Sequence, residues 1–519
     1  MKNTYIIPII FVFLNSACTT NTISIDNHKP ISFDHGFTSH EIALLGSEQK
    51  DTDWGLALSG GGIRSAMFQI GVLKSLYDNK LLEEIDVISA VSGGGYAAHW
   101  AFTSQFYAQS EKAMPDSDSS KIIPKFGTYS LDDDVFAEST CNIYKTANFV
   151  TYPRLLGNWI FKGISPPDYY ERQIKRSFSS PDMGPNTVLD LSELAGLAES
   201  GSPYLIMNAT IADVDDKENL QKRLYEMTYL HQGNDYLGYH IWRPSQSINF
   251  SRAAAISGAA IKLFLKQEID TPSNTLYGDK ILLSDGGHSE NLGAIALIKR
   301  GMKNIIISDA EMDPTFKYEA LTKLFEELSN RGYLIFEQKA DGRVSISGNQ
   351  NIVFSANDAY EAARGYRVFN IVKGKTHSNI YYIKMRLPTE IMPKSKRELV
   401  SRRAKGWKVT EYMRKNLLEN QYDCNSAKEY FEAYTPKVSY PEWLDGVMIG
   451  YEEFLNEGAS LKDQLNIAAF ETAMKHNDWS SYKFPHITTI DQSFYIDQAL
   501  AYIGLGFKQG ELIAKRIHQ

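Results

Sequence analysis

Ser92 stands between small residues in the run Ala90-Val91-Ser92-Gly93-Gly94, at the end of a β-branched stretch. A serine pinched this way can sit on a sharp strand-to-helix elbow with its hydroxyl exposed. Ala90 replaces the first glycine of the usual G-x-S-x-G and is small enough for the same packing. A glycine-rich helix start with a capping serine is the plainer reading of these residues. Upstream, Gly60-Gly61-Gly62-Ile63-Arg64 ends another short apolar run. Consecutive glycines entering a helix present main-chain N–H groups to a phosphate or an oxyanion. No Gly-Lys-Ser/Thr follows and no G-x-G-x-x-G is present, so the nucleotide loops do not fit. An oxyanion hole fits better, because a nucleophile candidate lies one β-unit downstream. Arg64 would steady that loop, attract an anionic head group, or form a surface ion pair. Ser284-Asp285-Gly286-Gly287 places a carboxylate at a third strand end, facing the crevice where parallel sheets bind ligands. An Asp-Gly turn is the bland alternative. Nucleophile, oxyanion donors and acid/base together make an acyl-transfer site.

The elements that must bring these groups together are legible nearby. Gly55 to Ser59 reads as a buried strand, and Ser65 to Tyr77 has helical spacing through Met67, Ile70, Leu73 and Leu76. Ile85 to Val91 reads as a second strand and Tyr96 to Phe102 as a second helix. Strand and helix alternating over short links predict a parallel sheet covered on both faces. Further strands are predicted at Tyr204 to Ile211, Ile281 to Ser284 and Lys303 to Ser308, with an amphipathic helix at Ala320 to Leu328. From about Gln105 to Val135 the chain turns polar and reads as an insertion or mobile loop. Asp309 also ends a predicted strand and competes for the base role, but Gly286 and Gly287 favour Asp285.

With these motifs in this order, the sequence resembles the patatin-like phospholipase family. GGGIR, the AVSGG elbow and DGG carry the resemblance. Asn208-Ala209-Thr210, Ile256-Ser257-Gly258-Ala259-Ala260, the segment from Asp285 to Gly293 and the late Phe484-Pro485-His486 add to it. It covers Trp54 to Asp309 well and the remainder loosely. The resemblance implies an α/β, three-layer fold with a mostly parallel central sheet. It implies a Ser–Asp dyad with Ser92 as nucleophile, Asp285 as base, and Gly61 with Gly62 at the centre of the oxyanion hole. The substrate would be a phospholipid or lysophospholipid ester. Acyl transfer by the same dyad, or an inactive lipid-binding lipoprotein, are the alternatives.

A Ser–His–Asp triad would draw on His99, His288 or His486. His99 lies two turns past Ser92, and His288, three residues from Asp285, reads as structural or as a substrate contact. No short His/Asp/Glu spacing matches a metal-ligand set, so neither metal nor cofactor is expected.

Length and composition bound the rest. The chain has 519 residues, 43% hydrophobic and 22% charged, which excludes a collagenous or wholly disordered protein. A net charge of −8 argues against nucleic acid as the main partner. Three cysteines cannot build a disulfide framework. Lys2, an apolar run from Tyr5 to Leu14, then Ser16, Ala17 and Cys18 have the layout of a secretory signal, and small residues before a cysteine resemble a lipoprotein signal. Asn15 stands where that pattern has an aliphatic residue. The run is about half the roughly 20 residues needed to span a bilayer, so contact with a membrane would be through an N-terminal anchor or a surface. The expected organisation is a signal peptide over 1–18, a polar tether over 19–50, a catalytic core over 51–311 with an insertion near 105–140, and an α+β extension over 312–519 packed on the core. The location would be the bacterial cell envelope, lipid-anchored or periplasmic. Cys141 and Cys424 could pair there. Tyr152 to Phe161 would form a lipid-facing lip or ordinary core, and the basic run from Lys394 to Lys408 a head-group contact or a solvated helix face.

Overall fold

The computed structural model describes residues 41, 53–112, 125–132, 136, 139, 140, 143, 148–150, 162–180, 183, 184, 186–212, 223–235, 238–242, 247–259, 267–270, 280–313, 317–338, 344–347, 365–386, 492, 493 and 496–519. Cys18, Cys141, Cys424, His486, most of the expected tether, the 152–161 segment and the basic run of 394–408 lie outside them.

Five strands run parallel at the centre of one sheet. They are β1 (Trp54–Leu58), β2 (Val87–Val91), β4 (Tyr204–Ile211), β10 (Asn304–Asp309) and β14 (Thr376–Lys384), in the order β14-β10-β1-β2-β4. Their uninterrupted apolar runs follow from burial on both faces: every residue of Val87–Val91 and Tyr204–Ile211 is buried. Antiparallel strands extend both wings. β5 (Leu224–Thr228), β6 (His231–Asn234) and β7 (Gly238–Ile241) follow β4 on one side. β13 (Tyr366–Lys373), β11 (Leu334–Gln338) and β12 (Val344–Ser347) follow β14 on the other. β8 (Gln267–Asp270) pairs with β9 (Lys280–Asp285), which pairs in turn with β4. A separate two-stranded ladder joins β3 (Asn148–Val150) to β15 (Gln492–Ser493). Helices flank the main sheet, which is the expected α/β architecture.

The helix α1 (Gly62–Asp78) leaves the glycine turn after β1, and α2 (Gly93–Lys112) leaves Ser92. α2 runs on past Gln105, where the composition turns polar, because Gln105 is buried and its side chain accepts the Gly127 N–H at 3.2 Å. Beyond these, α3 (Pro166–Phe178) and α4 (Phe250–Ser257) pack together beside β4, and α5 (Ala294–Lys299) lies against β1, β2 and β10. α6 (Glu319–Asn330) follows β10, and α7 (Ile496–Ile517) closes the chain.

That last helix braces the site from behind. It crosses α1 with the two backbones almost touching: a Cβ on Gly71 would lie 2.0 Å from the Ile503 carbonyl oxygen, and one on Gly506 would lie 2.0 Å from that of Phe68. Neither backbone oxygen can swing away. Gly506→Val is therefore expected to cost about 3 kcal/mol or more, the upper range for overpacking. Thermal unfolding of the full-length protein measures this, and an unchanged melting temperature would show that the crossing is looser than described.

Candidate active site

Sheet register explains how distant residues meet. β2 pairs with β4 up to Val91 opposite Asn208. The next residue of β4, Ala209, pairs with Asp285, the last residue of β9. Strands β2 and β9 thus occupy the same side of β4 and meet end to end, one carrying Ser92 just beyond its tip and the other carrying Asp285. The base strand is antiparallel to β4, not part of the parallel set the sequence suggested. A C-terminal strand end facing another C-terminal strand end is what brings hydroxyl and carboxyl together.

Ser92 Oγ donates to Asp285 Oδ2 at 2.8 Å. Both residues are 5% exposed. Ser92 has φ 49°, a left-handed conformation uncommon for a non-glycine residue and costing about 1–2 kcal/mol. The strain is held from below. The Ser92 N–H donates to Ser257 Oγ at 2.8 Å, and Ser257 Oγ donates to the Asn208 carbonyl at 2.6 Å. Asn208 Nδ2 donates to Ser89 Oγ and to the Ala90 carbonyl, at 2.9 and 3.0 Å. Gly93 and Gly94 allow the close approach: an added Cβ would lie 2.0 Å from the Gly62 carbonyl oxygen at Gly93, and 2.2 Å from that of Leu58 at Gly94.

The Asp285 carboxyl is pushed up to about 6 by burial, against the pull of hydrogen bonds from Gly287 and Ser92. The Gly287 N–H holds Oδ1 at 2.7 Å, which aims Oδ2 at the serine. Gly286 packs on the Asn208 carbonyl, where a Cβ would come within 2.5 Å. The loop that follows is tied by Glu290, whose carboxyl accepts the N–H of Leu292 at 2.7 Å and of Ile295 at 3.2 Å. Burial pushes this carboxyl up to about 7. Nothing in the spacing of the sequence marks Glu290 as a tie within this loop.

The three glycines of the turn differ. The Gly60 N–H donates to the Asn291 carbonyl at 2.8 Å, so it is spent on joining the turn to the Asp285 loop and is not offered to a ligand. This corrects the expectation that all three amides serve an oxyanion. Gly61 and Gly62 have φ 139° and 64°, and neither N–H has an acceptor among the described residues. The Gly93 N–H, directly after Ser92, also has none. The sequence motif marks Gly93 only as part of the elbow, yet the residue after a serine nucleophile is a natural oxyanion donor. Arg64 is 1% exposed and donates to the Ala310 carbonyl at 3.0 Å. It anchors the turn from inside and is not a surface residue. Its identity gave no sign of this, since arginine is rarely buried.

The competing candidates are engaged elsewhere. Asp309 accepts from Lys384 Nζ at 2.9 Å and from the Tyr382 hydroxyl. His99 is buried, with Nδ1 donating to the Phe178 carbonyl at 2.7 Å, and burial pushes it down to about 4. His288 Nδ1 lies 3.3 Å from Ser284 Oγ. Tyr96, one turn past Ser92, is buried with its hydroxyl against that of Tyr170, which donates to the Gly258 carbonyl at 3.1 Å. Among the described residues no group of His, Cys, Asp and Glu could hold a metal ion, and no helix is long and apolar enough to cross a membrane.

Residues 56–298 match the family model described as patatin-like phospholipase. Among solved structures, human GIVD cytosolic phospholipase A2 is similar with a TM-score of 0.53 at 12% identity, the match covering 93% of this chain and 64% of that one. The same human protein in complex with methyl gamma-linolenyl fluorophosphonate gives 0.50 at 12% identity, covering 93% of this chain and 63% of that one. The present chain thus spans less than two thirds of that protein, and the likeness speaks for the fold alone. A comparison with curated proteins returned no match.

Proposed function

From the premise that residues 56–298 form a patatin-like phospholipase domain, we propose that this protein is a serine lipid acyl hydrolase. It cleaves carboxylic esters of phospholipids or lysophospholipids through an acyl-enzyme on Ser92. The observation that carries the reading is the 2.8 Å hydrogen bond from Ser92 Oγ to the buried carboxyl of Asp285.

A serine hydroxyl is a weak nucleophile until a base takes its proton. Asp285 fills that role with a proton affinity raised by burial, closer to working pH than that of an exposed carboxylate. Ser92 Oγ attacks the acyl carbonyl as its proton passes to Asp285. The N–H groups of Gly61, Gly62 and Gly93 receive the oxyanion. The ester C–O bond then breaks, and the leaving alcohol takes the proton from Asp285. Water attacks the acyl-enzyme with Asp285 again as base, releasing fatty acid and restoring Ser92. Each oxyanion donor is worth roughly 3–4 kcal/mol in such sites. Fatty-acid release from phosphatidylcholine and lysophosphatidylcholine vesicles tests the reading. Release proportional to enzyme is expected, and its absence on both would contradict it.

The envelope location belongs to the same proposal and rests on residues 1–18. Cys18→Ala is expected to move the protein from the membrane fraction to the soluble fraction. An unchanged distribution would mean that Cys18 anchors nothing.

A further inference from the structure

Arg223 is a cation close to the base that the mechanism does not use. It immediately precedes β5, beside the turn Gly286–His288 that follows Asp285, and its Nη2 donates to the His288 carbonyl at 3.0 Å. That bond uses one of the five N–H donors of a guanidinium. Its Nε is buried and has no partner. No carboxylate pairs with it among the described residues, and burial alone pulls its proton affinity below the ordinary arginine value. A half-buried guanidinium with an orphaned donor is costly unless water or a ligand completes it, and an anion would complete it best. Its planar fork matches two oxygens of one anion.

Its position limits which anion. The 3.0 Å bond ties Arg223 to the turn that follows the base, three residues on from Asp285. Asp285 itself is hydrogen-bonded to Ser92 and Gly287. A phospholipid has its phosphodiester a few bonds from the scissile ester, and such a substrate would bring an anion near the dyad without touching it. We propose that Arg223 binds the phosphodiester of the substrate head group, making the site selective for phospholipid over neutral glycerolipid. This rests on the hydrolase reading above and specifies its substrate class.

The test compares dihexanoyl-phosphatidylcholine with dihexanoylglycerol, which has the same esters and no phosphate. Arg223→Ala is expected to lower kcat/KM on the phospholipid by about 10- to 100-fold, mostly through KM, the range for a lost charge-assisted hydrogen bond. Dihexanoylglycerol should change less than about twofold by the same reasoning, and Arg223→Lys should restore part of the loss. Equal losses on both substrates would assign Arg223 a structural role and overturn the proposal, as would no loss on either. A second arm does not need turnover. Glycerophosphocholine binding to Ser92→Ala, followed by calorimetry, should weaken when Arg223→Ala is added. If inorganic phosphate binds as tightly as glycerophosphocholine, the site is a free-phosphate site and the head-group assignment fails. If wild type hydrolyses neither ester while this binding still depends on Arg223, the hydrolase reading falls and the phosphodiester site stands.

Discussion

Ser92→Ala is expected to lower kcat for ester hydrolysis by about ten-thousandfold or more, the scale seen when a nucleophile acting as part of a unit is removed. The reason is specific to this geometry. Asp285 Oδ2 already accepts a hydrogen bond from Ser92 Oγ, and covalent chemistry splits one difficult hydrolysis into two easier steps. Without the hydroxyl, the carboxyl faces only water, which is not held on the acyl carbon. The elbow should persist, because its support is the main-chain N–H of Ser92 on Ser257. Circular dichroism and the melting temperature separate loss of chemistry from loss of fold. A variant within tenfold of wild type would mean that Asp285 activates water directly and that no acyl-enzyme forms.

Asp285→Asn should produce a similarly large loss of activity together with a gain in stability. The amide cannot take a proton from Ser92, although it can still accept the Gly287 N–H. Its stability effect follows from linkage. The wild-type carboxyl is raised from 3.8 to about 6 by burial, so the folded state holds the proton more tightly than the unfolded state. Asp285 therefore costs no stability below about pH 4 and progressively more between about pH 4 and 6. Above about pH 6 the penalty is constant, at most about 3 kcal/mol. Asparagine removes that penalty, so the variant should gain in Tm at pH 8 and gain nothing at pH 4. Glu290, raised in the same sense, is common to both proteins and cancels in the comparison. The same ionisation predicts that wild-type kcat/KM rises with pH through a value near 6 and then levels. Activity that stays flat down to pH 4.5 would remove Asp285 as the base.

Much of this arrangement was legible in the chain, for reasons that can be named. β1, β2 and β4 sit in the middle of the sheet, where burial on both faces demands continuous apolar residues, and such runs stand out in a sequence. Tyr204–Ile211 is found with the expected limits. Glycine runs mark places where main chain must touch main chain, as Gly93 does against Gly62. The rest depends on long-range pairing, which local pattern does not encode. β9 reads as one more strand of a parallel set; only its register with β4 shows it antiparallel and end to end with β2. Gly60 is indistinguishable from Gly61 until Asn291 arrives from a loop more than two hundred residues away and takes its N–H. Arg64 and Gln69 look like surface residues of an amphipathic helix. They are buried because Ala310 and Ser308, beyond the other motifs, present carbonyls to them. The helix α7 that braces α1 is separated from it by more than four hundred residues, and its small residues mean nothing until the crossing is seen.

The central claim is that Ser92 is a nucleophile activated by Asp285. Its most direct test is covalent labelling with an alkyl fluorophosphonate, read by intact mass and peptide mapping. The account predicts one phosphonyl group per chain, located on Ser92, with labelling of Asp285→Asn slowed by orders of magnitude. An adduct on any other residue, or equal labelling of Ser92→Ala and wild type, would contradict it.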